Sequence, residues 1–144
     1  ALIGGLSESE SDKFYYYGIN LGIAFQLKDD YLDVFGENEK FGKKNGGDII
    51  ENKKTLMYIF ALNNSDNYQK SKLIKFFTEK PLKSELKIKS VKEIFLKTGA
   101  DKDIKKEIKY YEKKAMEGIK SFSVSDKNKK IFEKLTIDLM SREI

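Results

Sequence analysis

Gln26-Leu27-Lys28-Asp29-Asp30-Tyr31-Leu32-Asp33 lies near the end of a proline-free run, residues 14–35, that is apolar almost throughout. Such a run predicts one long helix. On a wheel of about 100° per residue, Gln26, Asp29, Asp30 and Asp33 follow the spacing i, i+3, i+4, i+7 and share one face. The rest of the circumference carries Leu21, Ile23, Phe25, Leu27, Leu32, Val34 and Phe35, with Asn20 and Lys28 as polar exceptions. A helix apolar on most sides belongs inside a bundle, so its acidic stripe cannot simply point at bulk water. Carboxylates about 5 Å apart at an effective dielectric of ~20 repel by roughly 3 kcal/mol per pair. A cation is therefore expected in front of them. A hard divalent ion fits: two carboxylates one turn apart can share it and leave coordination sites for water or phosphate, as magnesium prefers. The plainer alternative is a solvated acidic helix face, and the surrounding sequence has to decide.

Upstream, Ala1 to Leu6 reads as an apolar helix end stopped by Gly4 and Gly5. Ser7-Glu8-Ser9-Glu10 has the spacing of a capping box, which starts the long helix at about Ser9 to Asp12. Gly18 and Gly22, one turn apart, would let a neighbouring helix approach.

Downstream, Gly36 to Gly47 contains four glycines and no periodicity, a loop able to bring backbone amides near a ligand. Asp48, with Glu51 three residues on, is expected to cap a second helix that buries Ile49, Ile50, Leu56, Ile59, Phe60 and Leu62 and stops at Asn63-Asn64. A helix over about 67–78 buries Leu73, Ile74, Phe76 and Phe77 before Pro81, and one over about 84–98 buries Ile88, Val91, Ile94 and Phe95 before Gly99. From Asp101, the positions Ile104, Ile108, Tyr111, Ala115, Ile119 and Phe122 recur at steps of three and four. A last helix, about 126–141 with Ser125 as its cap, is expected to bury Ile131, Leu135 and Leu139, with Phe132 beside them. No strand alternation and no repeat interrupts this pattern, and the lysines are expected on outer faces. The fold expected is all-α, an antiparallel helix bundle, with residues 1–144 forming a single helical domain.

The chain has no cysteine and no histidine, which excludes disulfides, thiolate or imidazole metal sites and imidazole catalysis. Its net charge of +5 comes from lysine, with Arg142 the single arginine. That balance suits point-charge binding of phosphates better than reading of base edges, so nucleic acid is not the expected partner. No stretch is long and apolar enough for stable membrane insertion and none resembles a targeting segment, so the location expected is cytoplasmic.

The acidic stripe, the glycine-lysine loop and the capped helix read as one chemical unit. Lys43 or Lys44 in the loop and Lys53 one turn into the next helix put cations beside the carboxylates. Amides at the helix N-terminus near Asp48 favour an anion. Carboxylates bind metal; metal and lysines bind diphosphate. Here the residues resemble the trans-type polyprenyl diphosphate synthases. Phe25-Gln26-Leu27-Lys28-Asp29-Asp30-Tyr31-Leu32-Asp33 is similar to that family's second aspartate-rich motif. The run from Gly42 to Thr55 is similar to its Gly-Lys loop and the adjoining Asp-Ile-x-Glu-x-Lys-x-Thr sequence. The stretch from Tyr111 to Ala115 and the terminal Arg142 fit its looser C-terminal pattern.

The resemblance implies an isoprenoid synthase-type fold and a reaction in which an allylic diphosphate ionises, isopentenyl diphosphate attacks and a proton is lost. Asp29, and less directly Asp30 and Asp33, would hold Mg2+ against the allylic diphosphate. Lys53 and a loop lysine, Lys43 or its neighbour Lys44, would contact that diphosphate and stabilise its departure, while Phe25 and Gln26 would face the isoprenoid tails. A homodimer is implied as well. The resemblance also shows a departure: the family's first aspartate-rich motif and its basic residues for isopentenyl diphosphate have no counterpart here. The expectation is the C-terminal half of a chain about twice as long, inactive alone, whose product length is set by residues outside this stretch. A noncatalytic helical subunit partnering a complete prenyl synthase is the alternative. A lysine-rich module for anionic membrane or nucleic acid is the third reading.

Overall fold

The computed structural model describes residues 5–36, 45–79 and 83–141, which form seven helices and, among the described residues, no strand. The expectations for Gly4, Lys43, Lys44, Pro81 and Arg142 lie outside the described residues. The chain gathers into two compact units, one drawn from residues 1–28 and 107–143, the other from residues 29–106.

The first unit is built from most of α1 (Glu8–Phe35), the later part of α6 (Ala100–Lys120) and α7 (Asp126–Met140). Its centre is aromatic: Phe14 stacks on Phe122 at 4.0 Å between ring centroids, and Phe132 meets both edge-on at 5.5 and 5.3 Å. Ile108, Ala115 and Ile119 of α6 are buried as their spacing predicts. At one end of α1, Ser7 Oγ accepts the Glu10 N–H at 3.3 Å, one half of the expected capping box. The Glu10 carboxylate is turned to the far end of α6, where it accepts the Ser123 N–H at 3.1 Å and its hydroxyl at 2.8 Å. Tyr17 packs beside Gly118 and places its hydroxyl 2.9 Å from Thr136 Oγ1. The Lys28 ammonium donates to the carbonyl of Met140, the last residue of α7. These contacts order α6 antiparallel and α7 parallel to α1.

Two expectations change in this unit. The buried stripe of α7 runs through Thr136 and Met140, whereas Ile131 and Leu135 are 60% and 45% exposed. A buried tyrosine hydroxyl and a buried ammonium need acceptors, and Thr136 and the Met140 carbonyl supply them, which fixes the inward face of α7. Gly18 and Gly22 are exposed, with no described atom near the place of a Cβ.

In the second unit α5 (Ser84–Thr98) is central and packs against α2 (Gly47–Ile50), α3 (Leu56–Asn64) and α4 (Asn67–Thr78). Val91, Ile94 and Phe95 meet a core completed by Met57, Tyr58, Ala61, Leu73, Phe77, Ala100 and Ile104. Tyr58 and Phe77 lie 4.4 Å apart. Asp66 and Gln69 form a reciprocal capping box on α4, with bonds of 2.7 and 3.2 Å, and Gly99 closes α5 at φ 74°.

Here the single helix expected from Asp48 to Asn64 is two, because Asn52 takes a left-handed conformation at φ 59°. The Lys53 N–H donates to the Asp48 carbonyl at 2.9 Å and the Asn52 N–H to that of Ile49 at 3.2 Å, the paired bonds of a Schellman ending. Gly46, at φ 91°, takes the cap position expected of Asp48. With the helix broken, Ile50 and Ile59 are partly exposed, as is Ile74 on α4. The expectation that lysines stay on outer faces fails at Lys28 and Lys87, which are 5% and 1% exposed.

Candidate functional site

The last turns of α1 and the segment that runs through α2 to Thr55 are tied together at Asp33. Its carbonyl accepts the Gly46 N–H at 2.7 Å, and its carboxylate Oδ2 accepts the Asp48 N–H at 3.0 Å. Gly47 adds a second amide, and a Cβ there would stand 3.2 Å from Asp33 Oδ1. Asp33 therefore fills the start of α2, and the amides expected to await an outside anion are engaged by this side chain. Burial pushes the Asp33 pKa up from the ordinary carboxylate value, the Asp48 and Gly47 amides pull it back, and the Asp48 charge raises it again.

Lys53 is not one turn into a helix, as its spacing predicts, but stands just after the left-handed turn at Asn52. The turn aims its ammonium back at the acidic face: Nζ lies 3.1 Å from Asp48 Oδ2 and 3.2 Å from Asp30 Oδ1. Bonding to Asp48 raises the Lys53 pKa most; burial opposes it and Asp30 adds to the rise. Asp30 is buried at 8% exposure, while the Lys53 side chain is 48% exposed. The pair thus has a dry carboxylate at one end and, at the other, an ammonium on a half-exposed side chain that is shared among Asp30 Oδ1 and both Asp48 carboxylate oxygens.

Asp29 is half-buried on the same stretch of α1. Phe25 (half-buried) and Gln26 (exposed) precede it on the part of α1 that belongs to the first unit. Among the described residues no three acidic side chains are gathered closely enough to hold a metal ion. Asp33 is drawn to the α2 amides and Asp30 to Lys53. The donor set, carboxylate oxygen without sulfur or imidazole, still suits a hard cation. The structure joins Asp30, Asp33 and Lys53, with Asp48 as the link. Sequence reasoning makes Asp48 a cap and passes over Asn52 and Lys87. Asn52 carries the signal of a residue tolerant of the left-handed turn, and Lys87 stands four residues before buried Val91 and eight before Phe95.

The described residues are helical without strands, with an acidic helix end tied to a glycine- and lysine-bearing segment, and the solved structures they match show a helical isoprenyl synthase fold. A crystal structure of a geranylgeranyl pyrophosphate synthase matches with a TM-score of 0.88 at 40% identity, covering 100% of this chain and 45% of that one. A geranylgeranyl pyrophosphate synthase from Corynebacterium glutamicum, complexed with isoprenyl diphosphate and magnesium, matches with a TM-score of 0.85 at 27% identity over 98% of this chain and 40% of its own. A short chain isoprenyl diphosphate synthase of Methanocaldococcus jannaschii is 36% identical over 59% of this chain, which amounts to 26% of that relative's length. The chain belongs to the polyprenyl synthetase family, whose profile matches residues 1–95.

Proposed function

We propose that the chain forms the C-terminal portion of a prenyltransferase that condenses isopentenyl diphosphate with an allylic diphosphate. The observation that carries this reading is Lys53, whose ammonium bonds at once to Asp30 on the aspartate-rich helix and to Asp48 on the next segment. Asp29 would hold Mg2+, with Asp30 and Asp33 contributing less directly. The ion, when bound, neutralises charge that develops on the departing diphosphate. Lys53 would turn a donor from Asp48 to diphosphate oxygen and steady the leaving group, with Lys43 or Lys44 as a second cation. Asp33 keeps α2 against α1, so Lys53 returns to the same place. Gln26 and Phe25 would border the isoprenoid tail. No side chain has to act as a nucleophile.

The donor chemistry and the Corynebacterium glutamicum relative solved with isoprenyl diphosphate and magnesium support this reading. A cytoplasmic homodimer belongs to it. The chain spans about half the length of the solved relatives and carries one aspartate-rich motif, so these 144 residues are proposed to bind ligand without turning it over. Calorimetric titration with magnesium and a nonhydrolysable allylic diphosphate analogue tests the site. Asp29→Ala should abolish the magnesium dependence, and Lys53→Ala should weaken binding by about tenfold or more. Unchanged binding in both variants would remove them from the site.

A further inference from the structure

We infer that Lys87, buried on α5, is a positioning residue that pins Asn52 in its left-handed turn and thereby sets where Lys53 reaches. Its ammonium donates to Asn52 Oδ1 and lies 5.2 Å over the ring of Phe77. Both partners are neutral, and burial pulls the Lys87 pKa down from the ordinary lysine value. Holding a lysine at 1% exposure carries a desolvation cost, offset here by its bond to Asn52 and by the Phe77 ring. The other end of that bond is a backbone turn. Asn52 is the one described non-glycine residue with positive φ, a conformation that asparagine tolerates better than other L residues and that its side-chain bond to Lys87 holds in place.

The turn matters because it stands directly before Lys53. Asn52 is the left-handed residue of the Schellman ending and Lys53 the next, so the φ of Asn52 decides the direction in which Lys53 leaves α2. The adjacent residue of α5 secures the opposite end of α2: Ile88 packs so tightly on Gly46 that a Cβ there would lie 2.8 Å from its Cγ1. Lys87 and Ile88 thus clamp both ends of a four-residue helix too short to hold itself.

The consequence for ligand binding rests on the reading of Lys53 as a diphosphate contact, and the test separates the two. Amide hydrogen exchange at Lys53 reports closure of the turn, because that N–H is bonded to the Asp48 carbonyl. In the 144-residue chain, Lys87→Met should speed exchange at Lys53 by about tenfold while amides of α3 and α5 stay protected. Adding Asn52→Gly should restore the slow rate, since glycine takes positive φ without an anchor. Asn52→Ala, which removes the acceptor instead of the donor, should also open the turn, at a further cost in stability because the buried Lys87 ammonium loses that partner. A Lys53 amide still protected in Lys87→Met or in Asn52→Ala overturns the inference, as does a Lys87→Met defect that Asn52→Gly leaves uncorrected. Magnesium-dependent affinity for inorganic pyrophosphate should track the exchange rates, falling about fivefold in Lys87→Met and returning in the double variant. If Lys53→Ala weakens that affinity and Lys87→Met does not, the positioning role is refuted. If Lys53→Ala leaves it unchanged while Lys87→Met still speeds exchange, the diphosphate reading falls and Lys87 keeps its hold on the turn.

Discussion

Gly46 shows how little freedom single residues have around this site. It stands at φ 91° with the Ile88 side chain occupying the place of a Cβ, and its N–H is bonded to the Asp33 carbonyl. Gly46→Ala combines backbone strain with a steric clash and should cost about 1–3 kcal/mol of stability, measured by urea unfolding. Because the same residue starts α2, the loss should appear in analogue binding at concentrations of urea where the chain is still folded. Asp33 and Asp48 divide labour in a way that their identical chemistry hides: one holds the backbone of α2, the other holds the Lys53 side chain.

Helix elements are legible in the sequence where periodicity is strong. The spans 67–78 and 84–98 coincide with α4 and α5, and Ser125 caps α7 by accepting the Asn128 N–H at 3.3 Å. The break at Asn52 is hidden because the apolar spacing of Ile49 and Ile50 runs on smoothly into Leu56 and Ile59. A single backbone dihedral ends the helix there. The face of α7 departs from expectation for a different reason: apolar periodicity favours Ile131 and Leu135, whereas buried polar groups on α1 choose Thr136 and the Met140 carbonyl. Of the residues singled out from sequence, the structure brings Asp30, Asp33 and Lys53 together, and the sharing of Lys53 between Asp30 and Asp48 depends on that turn.

Two predictions belong to the elements. Phe122 is 2% exposed and contacts Phe14, Tyr17 and Phe132, so Phe122→Ala should destabilise the first unit by about 3–5 kcal/mol, measured by denaturant unfolding. The tether between α1 and the end of α6 should be acid-labile. Lys13 and Ser123 hold the Glu10 carboxyl at about 2, below its ordinary 4.5. A carboxylate whose pKa is lowered by folding stabilises fully above pH 4.5 and loses that contribution as pH falls from 4.5 towards 2. Wild type should therefore melt above Glu10→Gln at neutral pH, and the difference should close across that window.

At the scale of the molecule, a net charge of +5 spread over many lysines will attract any polyanion at low salt, and specificity has to come from fixed geometry. Retention on duplex DNA should collapse between about 50 and 200 mM salt and be weakened, not promoted, by magnesium, whereas magnesium-dependent analogue binding should change by no more than about threefold. The central claim is that the aspartates of α1 and Lys53 face one ligand. A crystal structure of the chain with magnesium and pyrophosphate tests it most directly. The expected result is a metal ion at Asp29 with pyrophosphate oxygen within hydrogen-bond reach of Lys53 Nζ. Pyrophosphate bound elsewhere, with Lys53 still engaged solely by Asp30 and Asp48, would contradict it.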